Sequence, residues 1–316
     1  MNIPTNARVV IIANKHAGQA HRLALVLTHA MTIWHANGWH VDHWLVTHPG
    51  HAEALARQAV IQQFDMVVAA GGDGTVNEVA NGLVGSNVIL APLPIGTVNV
   101  WAREVGLSMD ARVAAKQISD GVVATMDVGV LDQNRHFMLM TGIGFDADVV
   151  KHLYSHDKKR FGVFAYIWRI LTVVWVFRGV DVSIELDDEQ LDVRALMMVV
   201  GNTPWYASFI PFTPKASIDD GLLDICLISG DTMVNGPWQF IGLYLKLYFG
   251  WSDPSIIYRR VRRVRIAGGA LPVQIDGDYI GMTPCELSLK SKALSVLVTA
   301  PAFHRLFTSK STVESS

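Results

Sequence analysis

Charge is scarce in this chain. Only 17% of its 316 residues are Asp, Glu, Lys or Arg, and they sum to −2 with the histidines neutral. Nothing in that balance points to nucleic acid, and no partner is steered by net charge. Cysteine is scarcer still. Cys226 and Cys285 sit inside apolar runs without CxxC or metal-ligand spacing. They read as core residues of a reducing compartment, with a disulfide between them left open. Met1-Asn2-Ile3-Pro4 has no basic stretch leading into an apolar one, so no export signal is read and a cytoplasmic location is expected. No internal repeat is visible. The excess is apolar: half of all residues, nine tryptophans and a mean hydropathy of +0.28. That composition excludes a disordered chain and hints at a surface that meets lipid.

Strand-like and helix-like stretches alternate over the first 120 or so residues. Residues 8–13 predict a buried strand, 20–37 a helix that Gly38 can end, and 41–46 a second strand. A Pro49-Gly50 turn leads into a helix through Ala59, and 66–70 and 88–93 supply the third and fourth strands. This alternation predicts a parallel α/β sheet with ligands at the carboxyl ends of its strands. Near Val122 the character changes to short β runs at 122–131, 136–141, 180–186, 193–200, 222–228, 261–266, 273–275 and 294–298. These predict a mostly antiparallel sandwich. The expected domains are 1–121, nucleotide-binding, and 122–300, β-rich and lipid-binding, followed by a tail at 301–316.

The most informative stretch is Gly71-Gly72-Asp73-Gly74-Thr75-Val76-Asn77-Glu78, directly after Met66-Val67-Val68-Ala69-Ala70. A strand that stops at paired glycines and resumes as a helical pattern is built for phosphate. The glycines allow close approach of a ligand, and the helix N-terminus presents unpaired N–H groups. Asp73 is the odd member, since a carboxylate repels phosphate unless a cation such as Mg²⁺ lies between them. The bland alternative is plain turn chemistry. Gly96-Thr97 with Asn99 follows the fourth strand and opens a helix, so it forms a second candidate phosphate or ribose wall. Asp276 ends an apolar strand and precedes Gly277. It is either a general base beside a ligand or half of a type I′ hairpin turn.

Gly71 to Glu78 resembles the signature of the diacylglycerol kinase catalytic domain, the family of bacterial diacylglycerol and related lipid kinases and of sphingosine and ceramide kinases. The resemblance extends to Asn14-Lys15-His16-Ala17-Gly18, Pro94-Ile95-Gly96-Thr97-Val98-Asn99, Ala102-Arg103, Gly142-Ile143-Gly144-Phe145-Asp146-Ala147, Asp220-Gly221-Leu222-Leu223-Asp224 and Asp276-Gly277-Asp278, all in the family's order. It implies two domains with a cleft between them and a tail returning to the first. It implies an enzyme that uses ATP and Mg²⁺ to phosphorylate a lipid hydroxyl. Asn14, Gly18, Gly71, Gly72, Asp73, Gly74, Thr75, Asn77, Gly96, Thr97, Asn99, Gly277 and Asp278 would line the nucleotide site. Asp276 would be the base and Arg103 with Asp146 an ion pair at the transfer site. Asp73 would face the Mg²⁺ carried in with the nucleotide, and Asp220 with the Leu222 carbonyl a structural Mg²⁺. The chain also departs from the pattern: Gln19 stands where lysine is common, Val100 where aspartate is, Tyr206-Ala207-Ser208 where the family has a glycine-rich turn, and Asp278 where it has glutamate.

Membrane contact is expected to be peripheral, at the inner face. Residues 161–180 are apolar over a bilayer's thickness, but Arg169 at the centre would cost about 3 kcal/mol in a spanning helix. An amphipathic helix beside the lipid site, or an ordinary core helix, suits both this stretch and 238–251. Arg259-Arg260-Val261-Arg262-Arg263-Val264-Arg265 is expected to leave a strongly positive face, either solvated or drawn to anionic headgroups at roughly 1 kcal/mol per charge. Two other functions compete: an NAD kinase, which shares the Gly-Gly-Asp-Gly turn, and a catalytically silent lipid- or nucleotide-binding protein. Asp73 and Asp276 both being present argues against the silent protein. A homodimer is left open.

Overall fold

The computed structural model describes residues 3–15, 23–132, 135–153, 176–206, 210–232, 242, 245–249 and 251–308. By internal packing they fall into two units. Unit 1 takes Met1–Val128, Ile218–Asp220 and Lys290–Ser316, and unit 2 takes Gly129–Ser217 and Gly221–Leu289.

In unit 1, β1 (Arg8–Asn14) runs parallel to both β2 (His40–Val46) and β3 (Met66–Gly71), and β3 to β4 (Ile89–Pro94). Every residue of β3 and β4 is buried. Such unbroken apolar strands are what a parallel sheet covered on both faces requires. The C-terminal part of β15 (Cys285–Val298) joins beside β4 through Ser295 and Val296. Helices α1 (Leu23–Ala36) and α5 (Ala111–Ser119) pack together, as do α2 (His51–Ile61) and α3 (Asp73–Leu83). Trp34 is fully buried and donates its ring N–H to the Ala115 carbonyl at 2.9 Å, which pins the first pair. The register sets Ala13 beside Ala70 and Gly71 beside Pro94, so the turns after β1, β3 and β4 leave from one edge of the sheet. A short α4 (Val100–Glu104) follows β4, and its buried Glu104 is paired with Arg305 of the helix Ala300–Leu306 at 2.7 Å.

Unit 2 is antiparallel throughout. It contains the end of β5 (Val122–Leu131), β6 (Arg135–Phe137), β7 (Met140–Gly144), α6 (Phe145–Leu153), β8 (Val180–Leu186), β9 (Glu189–Gly201), β10 (Leu223–Ser229), β11 (Ile256–Val261), β12 (Arg263–Ala267), β13 (Pro272–Ile275), β14 (Asp278–Met282) and the start of β15. The strands run β14-β13-β7-β9-β8-β12-β15, and β10 lies between β9 and β11. Ile143, Ile184, Val200, Ile225, Val264, Ile275 and Leu287 form the heart of its core. Both cysteines are free and buried, and burial pushes their thiols up to about 12, as inert core residues should be.

Several strands differ from expectation for physical reasons. The run 136–141 is two strands, because the N–H groups of Met138, Leu139 and Met140 turn away to a carboxylate. The run 261–266 also divides. Arg262 breaks the ladder where its N–H and that of Arg263 bind Asp187, which lets both Val261 and Val264 be buried despite their spacing of three. β15 begins at Cys285 rather than near 294, with buried and half-buried residues alternating over its first four positions and residues 290–292 exposed. Three aspartates of unit 2 share one device. Asp132, Asp187 and Asp276 have φ of 47, 48 and 46°, and each carboxylate caps backbone N–H groups of a neighbouring segment.

Candidate functional site

The glycine turns of unit 1 are built from main chain. Gly72 caps α3 in extended conformation, and its carbonyl accepts the N–H groups of Thr75 and Val76. The Ile95 and Gly96 N–H groups both donate to the Gly71 carbonyl, which ties the second turn to the first. A Cβ on Gly96 would lie 2.4 Å from the Gly72 Cα, a distance only glycine avoids. A Cβ on Gly72 would meet nothing closer than 3.5 Å, and one on Gly74 nothing within 4 Å. Gly71 is packed against the side chain of Thr75, whose hydroxyl accepts from Asn14 Nδ2 at 2.9 Å. Asn14, at the end of β1, is thereby tied to the glycine turn.

Two members of the octapeptide have structural tasks that sequence did not suggest. The Asp73 carboxylate accepts the Trp101 N–H at 3.3 Å, binding the start of α4. Burial pushes its pKa up, while the N–H groups of Trp101, Val100 and Asn99 pull the other way. Part of the negative charge is thus answered by a helix N-terminus. Glu78 accepts from the Gly50 and Ala52 N–H groups at 3.0 and 3.1 Å, so it caps α2. Asn99 is also an internal clamp. It is buried at φ 55°, accepting from Gly96 N–H and donating to Gly96 O. Asn77 accepts from Asn81, and Thr97 is exposed.

In unit 2, Asp276 and Gly277 form the tight turn between β13 and β14, with φ of 46 and 89°. The turn reading is therefore met, and the carboxylate also accepts three backbone N–H groups, with one lone pair of Oδ2 left over. Its Oδ2 accepts from Met138 N–H at 2.8 Å, and its Oδ1 from Leu139 and Met140 at 3.0 and 2.9 Å. Burial, aided by nearby Asp278, pushes the acid up to about 6 although the three donors oppose it. Asp132 and Asp187, with the same backbone device, are exposed; Asp276 is not. Asp276→Asn would remove one of these acceptors. Asn cannot accept at both ends, so the Met138 N–H would face an amide NH₂.

Asp146, in the first turn of α6, is buried. It accepts hydrogen bonds from the Tyr206 hydroxyl on Oδ1 and from Gln274 Nε2 on Oδ2, the latter at 2.8 Å. Burial pushes it up to about 6. Its described partners are these two, and the described bond of Arg103 goes from Nε to the Val98 carbonyl at 2.9 Å. Tyr206 and Gln274 are the residues sequence reasoning missed. Their only signal was a glutamine inside the apolar run of β13. Asp220 lies on the turn before β10, with Leu222 just before the strand. Among the described residues, no group of three or more His, Cys, Asp or Glu side chains could hold a metal. Gly18, Gln19, Ala207 and Ser208 lie outside the described residues, as do 161–175 and half of 238–251.

Four of the five arginines of the run 259–265 are paired with acids, which offsets the positive face expected there. Arg259 pairs with Glu189, Arg260 with Asp224, Arg263 with Glu286 and Arg265 with Glu185. The acids come from strands or turns remote in sequence. Exposed aromatics lie elsewhere in unit 2. Phe249 is 58% and Trp251 59% exposed, and Phe249 lies 5.3 Å from the rings of both Tyr248 and Trp251. Among the described residues, no helix is long and apolar enough to cross a membrane.

Residues 8–131 match the diacylglycerol kinase catalytic domain, and residues 140–298 match the YegS C-terminal NAD kinase beta sandwich-like domain. The chain is 29% identical over 255 residues to a diacylglycerol kinase of Bacillus subtilis, covering 79% of this chain and 82% of that one. It is 27% identical over 303 residues to a diacylglycerol kinase of Staphylococcus epidermidis, covering 94% of each. A solved structure of a diacylglycerol kinase from Bacillus anthracis superposes with a TM-score of 0.70 at 23% identity, covering 94% of this chain and 98% of that one. The fold is thus a parallel α/β domain followed by an antiparallel β-sandwich-like domain, and the enzyme it makes is a lipid kinase, a transferase. The chain belongs to the diacylglycerol kinase catalytic domain family.

Proposed function

We propose that this lipid kinase transfers the γ-phosphoryl group of ATP to the hydroxyl of diacylglycerol or a related lipid. The approach of Gly96 to Gly72 carries this reading, because it leaves a surface of bare backbone at the N-terminus of an eleven-residue helix, where phosphate binds readily. The curated relatives named above supply the acceptor class. Gly71, Gly72, Gly74, Thr75 and Thr97 would cradle the triphosphate, with Asn14, Gly18, Asn77, Asn99, Gly277 and Asp278 completing the nucleotide site. Residues 1–121 would hold the nucleotide, 122–300 the lipid, and 301–316 return to the first part. Arg103 and Asp146 would act as a pair at the transfer point. Asp276 would take the hydroxyl proton, a role favoured by its raised pKa, since a base near the working pH transfers protons best.

Mg²⁺ would arrive with the nucleotide and neutralise phosphate charge. Such an ion draws most ligands from phosphates and water, so a few protein oxygens suffice. Asp73 fits that need with the oxygen lone pairs left over from the Trp101 bond, and Asp220 with the Leu222 carbonyl would hold a second, structural ion. Incubation with labelled ATP and a panel of lipids, then extraction into organic solvent, tests the whole reading. Label should move to a diacylglycerol-like lipid and disappear with a chelator. Label appearing on NAD instead would overturn it.

Attachment to membranes would be peripheral and mainly apolar, through Tyr248, Phe249 and Trp251, because four arginines of the 259–265 run are already paired. Flotation with liposomes should carry the protein upward with little salt dependence, and Phe249→Ser should leave it at the bottom. Release by moderate salt would restore the arginines as the anchor.

A further inference from the structure

Gln274 occupies the middle of β13 and is 1% exposed. A strand position serving only the core would be apolar there, since desolvating an unbonded amide costs about 1–3 kcal/mol. Its two ends are both engaged. Nε2 donates to Asp146 Oδ2 at 2.8 Å, and Oε1 accepts the Gly277 N–H at 2.7 Å. The amide thus links the first turn of α6 to the turn that carries Asp276. An amide has one donor end and one acceptor end, and an ionised carboxylate only accepts. Asp146 therefore draws the NH₂ group and leaves the carbonyl oxygen facing Gly277. The reversed orientation would set oxygen against oxygen at one end and N–H against NH₂ at the other. β7 makes room for the contact at Gly142, where a Cβ would fall 1.7 Å from Asp146 Oδ2 and 2.5 Å from Gln274 Nε2.

We propose that Gln274 is a positioning residue for phosphoryl transfer: by clamping the Gly277 N–H against Asp146 it fixes the turn on which Asp276 stands. This rests on the reading of Asp276 as the base. The titratable groups around the clamp are Asp146 of α6, Tyr206 bonded to it, and Asp276 and Asp278 of the hairpin. Lys151 of α6 lies over the Tyr279 ring of β14.

Gln274→Glu and Gln274→Met test the proposal. Ionised Glu has no donor for Asp146 and repels it, whereas protonated Glu offers one donor and one acceptor, as the amide does. Turnover of Gln274→Glu should therefore be low at pH 8 and recover as pH falls toward 6. The native enzyme, which needs Asp276 ionised, should lose turnover over the same interval. Gln274→Met keeps the volume without either bond and should lose about 10²-fold in kcat at every pH. A Gln274→Glu profile parallel to the native one, or native kcat in a folded Gln274→Met, overturns the proposal. The Glu profile compares one protein with itself, so it decides the matter even where the Met variant fails to fold. Failure of the underlying reading looks different: Asp276→Asn would then keep near-native turnover whatever Gln274 does.

Discussion

The two units build their candidate sites from different materials. Unit 1 uses main chain: adjacent glycine turns at the ends of parallel strands, with Asn14, Asp73 and Asn99 holding them in shape. Unit 2 uses side chains that reach far along the sequence, as Asp276 does to Met138, 138 residues away. A backbone site is sensitive to added atoms where its turns touch, as at Gly96, and draws on few charged side chains. A side-chain site tolerates bulk better and depends on which protons are where. Substitutions should therefore fail by crowding in unit 1 and by lost hydrogen bonds or shifted titration in unit 2.

The largest effect is expected at Asp276. Asn there should cut turnover by about 10² to 10⁴-fold and destabilise by roughly 1–3 kcal/mol, because the Met138 N–H loses its acceptor. Turnover against pH, with a thermal melt of the same samples, separates the two. Near-native turnover in the destabilised protein would leave Asp276 a turn residue alone. Next is Gly96→Ala, whose Cβ collides with the Gly72 backbone and should destabilise by about 1–3 kcal/mol. Gly72→Ala, with room for its Cβ, should melt like the native protein yet bind ATP more weakly by titration calorimetry. Equal melts for both variants would break the contrast between them.

The acid of unit 2 gives a pH test. Asp146 titrates at about 6 in the folded protein against 3.8 ordinarily, so the folded state holds its proton more tightly. Its ionisation lowers stability as pH rises from about 4 to about 6, a loss that Asp146→Asn should not show. Melting both proteins at pH 5 and pH 7 should give the smaller difference for the variant. The smallest effect belongs to unit 1: Glu78→Ala should cost about 1 kcal/mol through the uncapped α2 and leave ATP affinity intact. A large affinity loss would move Glu78 from cap to ligand site.

The parallel strands and glycine turns were legible because both are local: runs of buried β-branched residues stop at glycines, and the helix pattern resumes within a few positions. The division of 136–141 and the split at Arg262 were not legible. Each depends on a distant aspartate drawing N–H groups out of a ladder. The arginine run was read without its acidic partners for the same reason, since they lie as far away as Glu185 of strand β8, paired with Arg265, and Glu286 on the other side, paired with Arg263. Asp276 was legible as a choice between base and turn, and the fold shows that it is at least a turn. Gln274 and Tyr206 could not be tied to Asp146 without the strand order.

The left-handed aspartate shared by positions 132, 187 and 276 bears on how such enzymes lose activity. At 132 and 187 the carboxylate holds backbone N–H groups of a neighbouring segment, and Asp276 does the same. An aspartate at that turn serves the hairpin whether or not it also takes a proton, so a chain that did not transfer phosphate could still need it in order to fold. Its presence in a chain marks inheritance of the hairpin, and the first visible sign of retired chemistry would be erosion at Gln274 and Asp146.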